Sequence, residues 1–493
     1  MVRRQRDTRS ESLLYTLTVR YERWRREHAG PASRREPRAR AILFGAGSAA
    51  STLLHSMIFD PRSRYEPVGV LDDDPARQGE RLAGIAVIGS RADLATAVER
   101  TRATAVIFTI GNAEGSLVRE IRALALAAGA RFLVVPETSE LLDHDLGGPD
   151  IRDVRITDLV GRHRIATDAA AIAARLSGKR VLVTGAGGEI GSELCRQIHR
   201  IGPAELIMLD HDEKALQAVQ LSVDPRAEVH DPSVVLADVR DAGRVREIFR
   251  TRKPEVVFHA AALQHQPLLE RHPGEAVKTN VLGTLAVLDA AEDVELFVNV
   301  STAKAADPVS VLGHTKRIAE RLTAAFADER TGTFVSVRFG NVLGRHGSVL
   351  ATFGAQIADG GPITVTHPEA TRYLMTTEEA VTLVLQAAAV GKGGEALVLQ
   401  LGEPVRIDDV ARDMIELADE PIDIVYTGLR PGEKLGETLF APGETDRRPH
   451  HPLIAHVPVP PLTPSHVSDP AALSDTRTLA ALSTTPSLEN RAA

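Results

Sequence analysis

Gly185, Gly188 and Gly191 follow one another at the spacing GxxGxxG, and an aspartate, Asp210, ends the next apolar run. Those residue types at that spacing suit one task, holding a dinucleotide. The first glycine permits a tight turn, the second lets a pyrophosphate reach the backbone, and the third lets the following helix pack closely on its strand. Glu189 and Ile190 open that helix, where free N–H groups and the positive end of the dipole favour an anion. Asp210 falls about 20 residues further on, where a carboxylate takes the adenosine ribose hydroxyls. A lone glycine triplet is weak evidence, so the flanking elements decide.

Those elements agree. Val181–Val183 is an uninterrupted apolar run that reads as a buried parallel strand, and LIMLD is the next strand, carrying Asp210 at its end. VVLADVRD places Asp238 at a strand end where adenine is contacted, and the alanines of EVVFHAAA, Ala260 and Ala261 among them, leave room for the cofactor. FVNVSTAK is a further strand ending in polar residues at the carboxyl edge, where α/β sites lie.

A second, smaller α/β unit precedes this one. AILFGAG, VGVLDDD, AVIFTIG and RFLVVPE alternate with helical stretches, and Gly45 and Gly47 make a glycine turn in which Ala50 stands for the third glycine. Two readings stand for it: a nucleotide or nucleotide-sugar site, or a degenerate Rossmann-like domain used in assembly or regulation.

Composition narrows the class. The chain has 493 residues, 43% of them hydrophobic, enough for two or three domains with proper cores. Cys195 is the single cysteine, so no intrachain disulfide forms and nothing points to an oxidising compartment. No run approaches the roughly 18 apolar residues of a membrane span, and there is no signal peptide, so a cytoplasmic protein is expected. Net charge is −8, yet residues 1–40 carry twelve arginines against five acids, which leaves −15 on the rest. An acidic body argues against nucleic acid as a partner. In the basic leader, Leu13, Leu14, Leu17, Tyr21 and Trp24 share one helical face. A helix in peripheral contact with an anionic membrane is one reading of it, and a solvated or self-docking leader is the other.

Four segments carry a family resemblance: HAAALQHQPLLERHPGEAVKTNVLGT, STAKAADPVSVLGHTKRIAE, VRFGNVLGRHGSVLATFGAQIADGGPITVTHPEATRYLMT and GLRPGEKLGETLF. In this order they resemble the nucleotide-sugar 4,6-dehydratases of capsular and O-antigen polysaccharide biosynthesis. Those are extended short-chain dehydrogenase/reductases acting on UDP-N-acetylglucosamine. The long members carry several N-terminal transmembrane helices, and this chain resembles one that keeps only the basic leader. The resemblance implies an α/β protein of two Rossmann-like doubly wound parallel-sheet domains, the second an extended reductase domain with a small C-terminal substrate-binding part. The expected extents are a leader at 1–38, a small Rossmann-like domain at 39–137, a connector at 138–178, the cofactor and nucleotide-sugar domain at 179–440, and a largely disordered tail at 441–493.

The resemblance also implies a reaction: oxidation of the sugar at C4 by tightly held NAD (NADP being the alternative), loss of the C5 proton, loss of the C6 hydroxyl, and return of hydride to C6. That needs a base for O4, a base at C5 and an acid at O6. The family pattern Ser-Thr-Asp-Lys reads here as Ser301, Thr302, Ala303 and Lys304, so Thr302 and Lys304 remain as catalytic residues and the acid is missing. A Tyr-x-x-x-Lys pair would share one helix face; Lys316 is present for the nicotinamide ribose, with Leu312 at the partner position. Asn280, Ser301 and Lys316 complete the cofactor set. Gln264 stands where the family has lysine, and Glu189 replaces a small residue in the glycine loop. Asn341, Arg372, Arg430 and Glu433 match positions that hold the nucleotide-sugar, where arginine grips a diphosphate and glutamate accepts from ribose, and Gln264 and His265 are expected on the substrate side with them. His265 and His314 could face the pocket; no ligand cluster accompanies them, so no metal is expected. The expected partners are a UDP-sugar and further copies of the chain. A 4-epimerase or 4-dehydrogenase, and a non-catalytic nucleotide-sugar-binding regulator, are the alternatives to a dehydratase.

Overall fold

The computed structural model describes residues 38–484 apart from 61–62, 112, 136–150, 156–157, 160–164, 228–230, 345–347, 401, 419–420, 468–472 and 474. The basic leader and much of the expected connector lie outside the described residues. The chain divides into two compact units, the first formed by Met1–Gly111 and Ile121–Asp153 and the second by Asn112–Glu120 and Val154–Ala493.

The first unit is built on strands β1 (Ala39–Phe44), β2 (Tyr65–Leu71), β3 (Ala105–Phe108), β4 (Arg131–Val134) and β5 (Arg152–Asp153), in sheet order β2-β1-β3-β4-β5. The first four run parallel and β5 is antiparallel. Helix α1 (Ser48–Phe59) follows β1 through the glycine turn. Ala50 on this helix is fully buried against Leu43 and Leu53. Asp72 receives the Ala46 amide at 2.6 Å, closing the turn onto the end of β2.

The second unit carries an eight-stranded sheet. Its strands are β6 (Arg180–Thr184), β7 (Glu205–Asp210), β8 (Val234–Leu236), β9 (Val256–His259), β10 (Leu296–Val300), β11 (Thr333–Arg338), β12 (Glu395–Leu399) and β13 (Ile454–Pro458). The order β8-β7-β6-β9-β10-β11-β12-β13 is the doubly wound one, with the strand order reversing between β6 and β9. Every pair is parallel except β12 with β13. Two helices matter most for the site: α2 (Glu189–Ile201), which follows the glycine loop, and α3 (Val311–Glu329), which packs beneath the end of β10. Both sheet faces are covered by apolar clusters, one around Val183 and Phe258 and the other around Leu182 and Phe297. This is the expected doubly wound parallel α/β architecture.

The tail departs from the expectation of disorder. β13 completes the main sheet beside β12, and helix α4 (Thr476–Thr484) buries Leu479 against the cluster that holds Phe326 and Phe334. Arg321 on α3 supplies the reason. Its buried guanidinium donates to the carbonyls of Pro460, Pro461 and Leu482, so a Pro-rich segment with no periodicity is held by backbone acceptors. Glu444 adds a second anchor, accepting from Arg338 and Arg317 while it also receives the Ala441 amide.

Candidate active site

The glycine loop does what its spacing demands. Gly185 has φ +68°, and a Cβ there would lie 2.6 Å from the Ala261 amide nitrogen. At Gly191 a Cβ would sit 1.9 Å from the Gly185 carbonyl oxygen, so only glycine lets α2 approach the turn. At Gly188, the N-cap of α2, a Cβ would meet nothing but that same oxygen, at 3.2 Å. The space above Gly188 is therefore open, and the first-turn amides of α2, which have no intrahelical acceptors, face an anion-sized approach. The loop and helix fit a dinucleotide pyrophosphate. Ile190 packs its side chain on the core below.

Asp210 sits at the end of β7 with both oxygens occupied by backbone. Oδ2 receives the Gly187 amide at 2.9 Å, and Oδ1 receives those of His211 and Asp212 at 2.7 and 3.1 Å. It therefore shapes the loop after β6. Asp238 is held by the Arg240 guanidinium at 2.6 and 2.8 Å, which keeps its carboxyl below the usual range.

Glu189 opens α2 and turns its carboxylate away from the loop, accepting from the Thr377 hydroxyl at 3.0 Å. A Cβ on Gly344 would overlap that carboxylate, so glycine at 344 makes the contact possible. The Glu189 side chain ties α2 to the segments carrying Gly344 and Thr377.

The floor of the site is a chain of polar groups. The Thr184 hydroxyl lies 2.8 Å from His259 Nδ1, and Nε2 of that ring lies 2.9 Å from the Thr284 hydroxyl. Thr284 donates to the Asn280 carbonyl at 2.8 Å, so it accepts from Nε2–H, and Nδ1 accepts from Thr184. Burial, with Lys316 nearby, pushes the His259 pKa down to about 3 and keeps the ring neutral. Asn280 lies in a π-helical stretch, Val277–Gly283, and spends its amide on the backbone of Leu263, at 2.8 and 3.0 Å. Its amide thus holds the 261–265 loop.

Ser301 is a further member of the expected cofactor set. It is buried and donates to Glu320 at 2.7 Å, into a buried set in which Arg338 meets Glu320 at 2.7 Å and Glu444 at 2.6 Å. Arg317 joins both glutamates. Two cations balance two anions, and every Glu320 oxygen is bonded, which is the condition for keeping such charges inside.

Above this floor stand the candidate catalytic groups. Lys316, on α3, is buried with its ammonium donating to the Val300 carbonyl at 2.7 Å, and burial pulls its pKa down to about 8. Leu312 one turn earlier is buried in the apolar cluster and offers no proton. Thr302 caps the short 3₁₀ turn Ala303–Ala305, receiving the Lys304 amide at 3.3 Å. Ala303 is buried beside Val398, Leu439 and Ala455. The Lys304 ammonium lies 3.2 Å from Glu437 and 3.5 Å from the Asn341 side-chain oxygen.

The substrate-side residues divide. Arg372 is buried and meets Glu433 at 3.0 Å, which also receives the Thr366 hydroxyl and the Arg430 amide. The Arg430 side chain is exposed and has no partner among the described residues. Gln264 and His265 are exposed, and line a depression of about 390 Å³ with Leu268, His272 and Glu275. No hydrogen bond joins either of them to Lys304 among the described residues. His314 does not face the pocket: its Nδ1 lies 2.9 Å from the Ser483 hydroxyl on α4. Glu437 was missed by sequence reasoning, although it lies inside the quoted segment GLRPGEKLGETLF. No spacing rule connects it to Lys304, because the two meet only when the C-terminal part folds back over the end of β10.

The family model described as polysaccharide biosynthesis protein matches residues 181–458, and one described as CoA-binding domain matches residues 13–136. The chain is 39% identical over 412 residues to a probable polysaccharide biosynthesis protein, EpsC, of Bacillus subtilis (strain 168), covering 82% of this chain and 69% of that protein. It is 40% identical over 411 residues to the capsular polysaccharide biosynthesis protein CapD of Staphylococcus aureus, with the same coverage. A UDP-glucose 4-epimerase of Rickettsia rickettsii (strain Sheila Smith) is 33% identical over 54% of this chain and 79% of its own. Among solved structures, that of Pen from Bacillus thuringiensis superposes with a TM-score of 0.53 at 31% identity, over 58% of this chain and 90% of that one. The matched family model begins on β6 and ends on β13, taking in the whole sheet and every residue placed around Lys304, and on that extent the chain belongs to the polysaccharide biosynthesis protein family.

Proposed function

We propose that this protein is a nicotinamide-dependent enzyme that modifies a UDP-N-acetylhexosamine, acting as a 4,6-dehydratase. The observation that carries the reading is the meeting of Lys304 with Asn341 and Glu437, at the carboxyl edge of a sheet whose glycine loop fits a pyrophosphate. The relatives named for polysaccharide biosynthesis and the one named a UDP-glucose 4-epimerase support a sugar nucleotide as substrate. NAD, when bound, supplies the hydride acceptor for C4 and the donor for C6.

The chain's own residues divide the remaining work. The first turn of α2 holds the pyrophosphate, and Asp210 favours an unphosphorylated ribose, hence NAD over NADP. Lys316 holds the nicotinamide ribose. Thr302 and Lys304 face the sugar, Thr302 relaying the O4 proton to water and Lys304 taking the C5 proton. Arg372, fixed by Glu433, and Arg430 hold the diphosphate and nucleoside.

A second reading is a 4-epimerase that stops before elimination, favoured by Ala303 at the position of the acid. Incubation with UDP-N-acetylglucosamine, followed by NMR, separates them. A 4-keto-6-deoxy sugar is the expected product. A C4 epimer alone selects the second reading, and an unchanged sugar with no reduced cofactor overturns both.

A further inference from the structure

Four glutamates of the second unit form ion pairs in or near the candidate site, and three of them are held by arginine: Glu320 and Glu444 by Arg338, and Glu433 by Arg372. Arginine keeps its protons at any pH a protein meets, so those pairs only hold structure. Glu437 is different. Its cationic partner among the described residues is Lys304, whose ammonium can give a proton up, at 3.2 Å. The pair is enclosed, with the Glu437 side chain 7% exposed and that of Lys304 19% exposed. The backbone around Glu437 is pinned on both sides: Gly436 bridges to Thr371, and Leu439 is buried beside Ala303. Its carboxylate is thus delivered to the turn where the acid is missing.

We propose that Glu437 is a positioning and proton-storing residue that acts through Lys304, letting Lys304 do the work of the acid lost at position 303; this rests on the dehydratase reading above. The ion pair and its neutral form, amine beside carboxylic acid, differ by one proton shift along the contact. In the neutral form the Lys304 amine takes the proton from C5 of the 4-keto sugar. The C5–H electron pair becomes the C5–C6 double bond as the C6–O bond breaks. The departing hydroxide takes a proton from the Lys304 ammonium and leaves as water, which restores the amine. The O4 proton of the first oxidation leaves through Thr302 and water to solvent; when C6 has been reduced, C5 takes the proton stored on Glu437, and a proton from solvent restores it. Protons and electrons balance over the cycle without a further acid.

The test compares wild type with Glu437→Gln and Glu437→Asp, each carrying its cofactor, on UDP-N-acetylglucosamine in D₂O. The measurements are reduced nicotinamide by absorbance, deuterium at C5 and 4-keto-6-deoxy product by NMR, and UDP affinity by calorimetry. Glu437→Gln is expected to lower product formation and C5 deuteration by about 10²-fold, and to lower cofactor reduction at least tenfold less than that. KM should move little, and Glu437→Asp should recover part of the loss. Equal turnover by Glu437→Gln overturns the proposal. So does a parallel loss of reduction, elimination and UDP binding that Glu437→Asp does not restore, because that is a merely structural role. A wild type that reduces its cofactor but shows neither C5 deuterium nor product overturns it as well. A wild type that forms no reduced cofactor and no product overturns the dehydratase reading itself, and the inference with it.

Discussion

The Asp210 carboxylate receives the Gly187 amide at 2.9 Å, tying the end of β7 to the turn after β6. The same relationship recurs in the first unit, where Asp72 receives the Ala46 amide at 2.6 Å. In both, a carboxylate at the end of the second strand fixes the shape of the turn after the first. In the second unit that residue is also the one proposed to meet the ribose, so loop geometry and cofactor choice are tested through one side chain. Asp210→Ala is expected to lose about tenfold or more in NAD affinity, since a charged hydrogen bond contributes roughly 1.5–3 kcal/mol. It should also narrow a wild-type preference for NAD over NADP, read by titration with both cofactors. Tighter NADP binding by the wild type would refute this assignment.

Gly188 and Gly191 should respond differently to one methyl group. At Gly191 it would fall 1.9 Å from a carbonyl oxygen, and backbone cannot yield that far. Gly191→Ala should therefore disturb the packing of α2, lowering Tm and abolishing cofactor binding. At Gly188 the one neighbour is 3.2 Å away, so Gly188→Ala should fold normally and weaken cofactor binding alone. Equal effects on Tm would show that the third glycine is not the packing residue.

Lys316 makes stability depend on pH. Its pKa falls to about 8 in the fold, against about 10.4 in an unfolded chain. Between those values the unfolded chain binds a proton that the folded one does not, so stability rises with pH across that window. Below pH 8 the full cost of keeping the ammonium inside is present. Lys316→Met, in cofactor-free protein, should therefore raise Tm at pH 7, by roughly 2–4 °C per kcal/mol relieved. The gain should shrink above pH 8 and vanish near pH 10.4, while cofactor binding weakens throughout. A lower Tm at pH 7 would mean that the bond to the Val300 carbonyl outweighs the burial.

Much of the cofactor half was legible in the sequence because its signals are local. The apolar runs of β6, β7, β9 and β10, the glycine spacing and the strand-end aspartates each lie within one strand–turn–helix unit. The relationships that cross the fold were not legible. Arg338, Glu320 and Glu444 come from a strand, a helix and a loop, and their charges read as ordinary surface residues until the chain closes on them. The tail read as disordered because composition carries no sign that backbone carbonyls will dock on Arg321. The bonds of Ser301 to Glu320 and of Asn280 to Leu263 likewise join residues far apart in sequence.

Position 303 offers the sharpest test of how the site handles the leaving hydroxyl. Ala303 is 2% exposed and packs beside Val398, Leu439 and Ala455, one residue before the lysine whose ammonium meets Glu437. A carboxylate introduced there leaves water for a partly apolar setting, which costs about 1–3 kcal/mol unless it is bonded. Ala303→Asp should therefore lower Tm by several degrees. It also restores an acid beside the C5 base, and a well-placed general acid contributes about 10²-fold or more. In the wild-type background the gain in elimination should be small, because Glu437 already stores the proton. In the Glu437→Gln background the same substitution should recover most of the lost elimination, with cofactor reduction moving far less. Product formation by NMR, beside reduced-cofactor absorbance, reads the two separately. A large gain in the wild-type background would show that no other group performs the task, and that Lys304 and Glu437 are merely a structural ion pair.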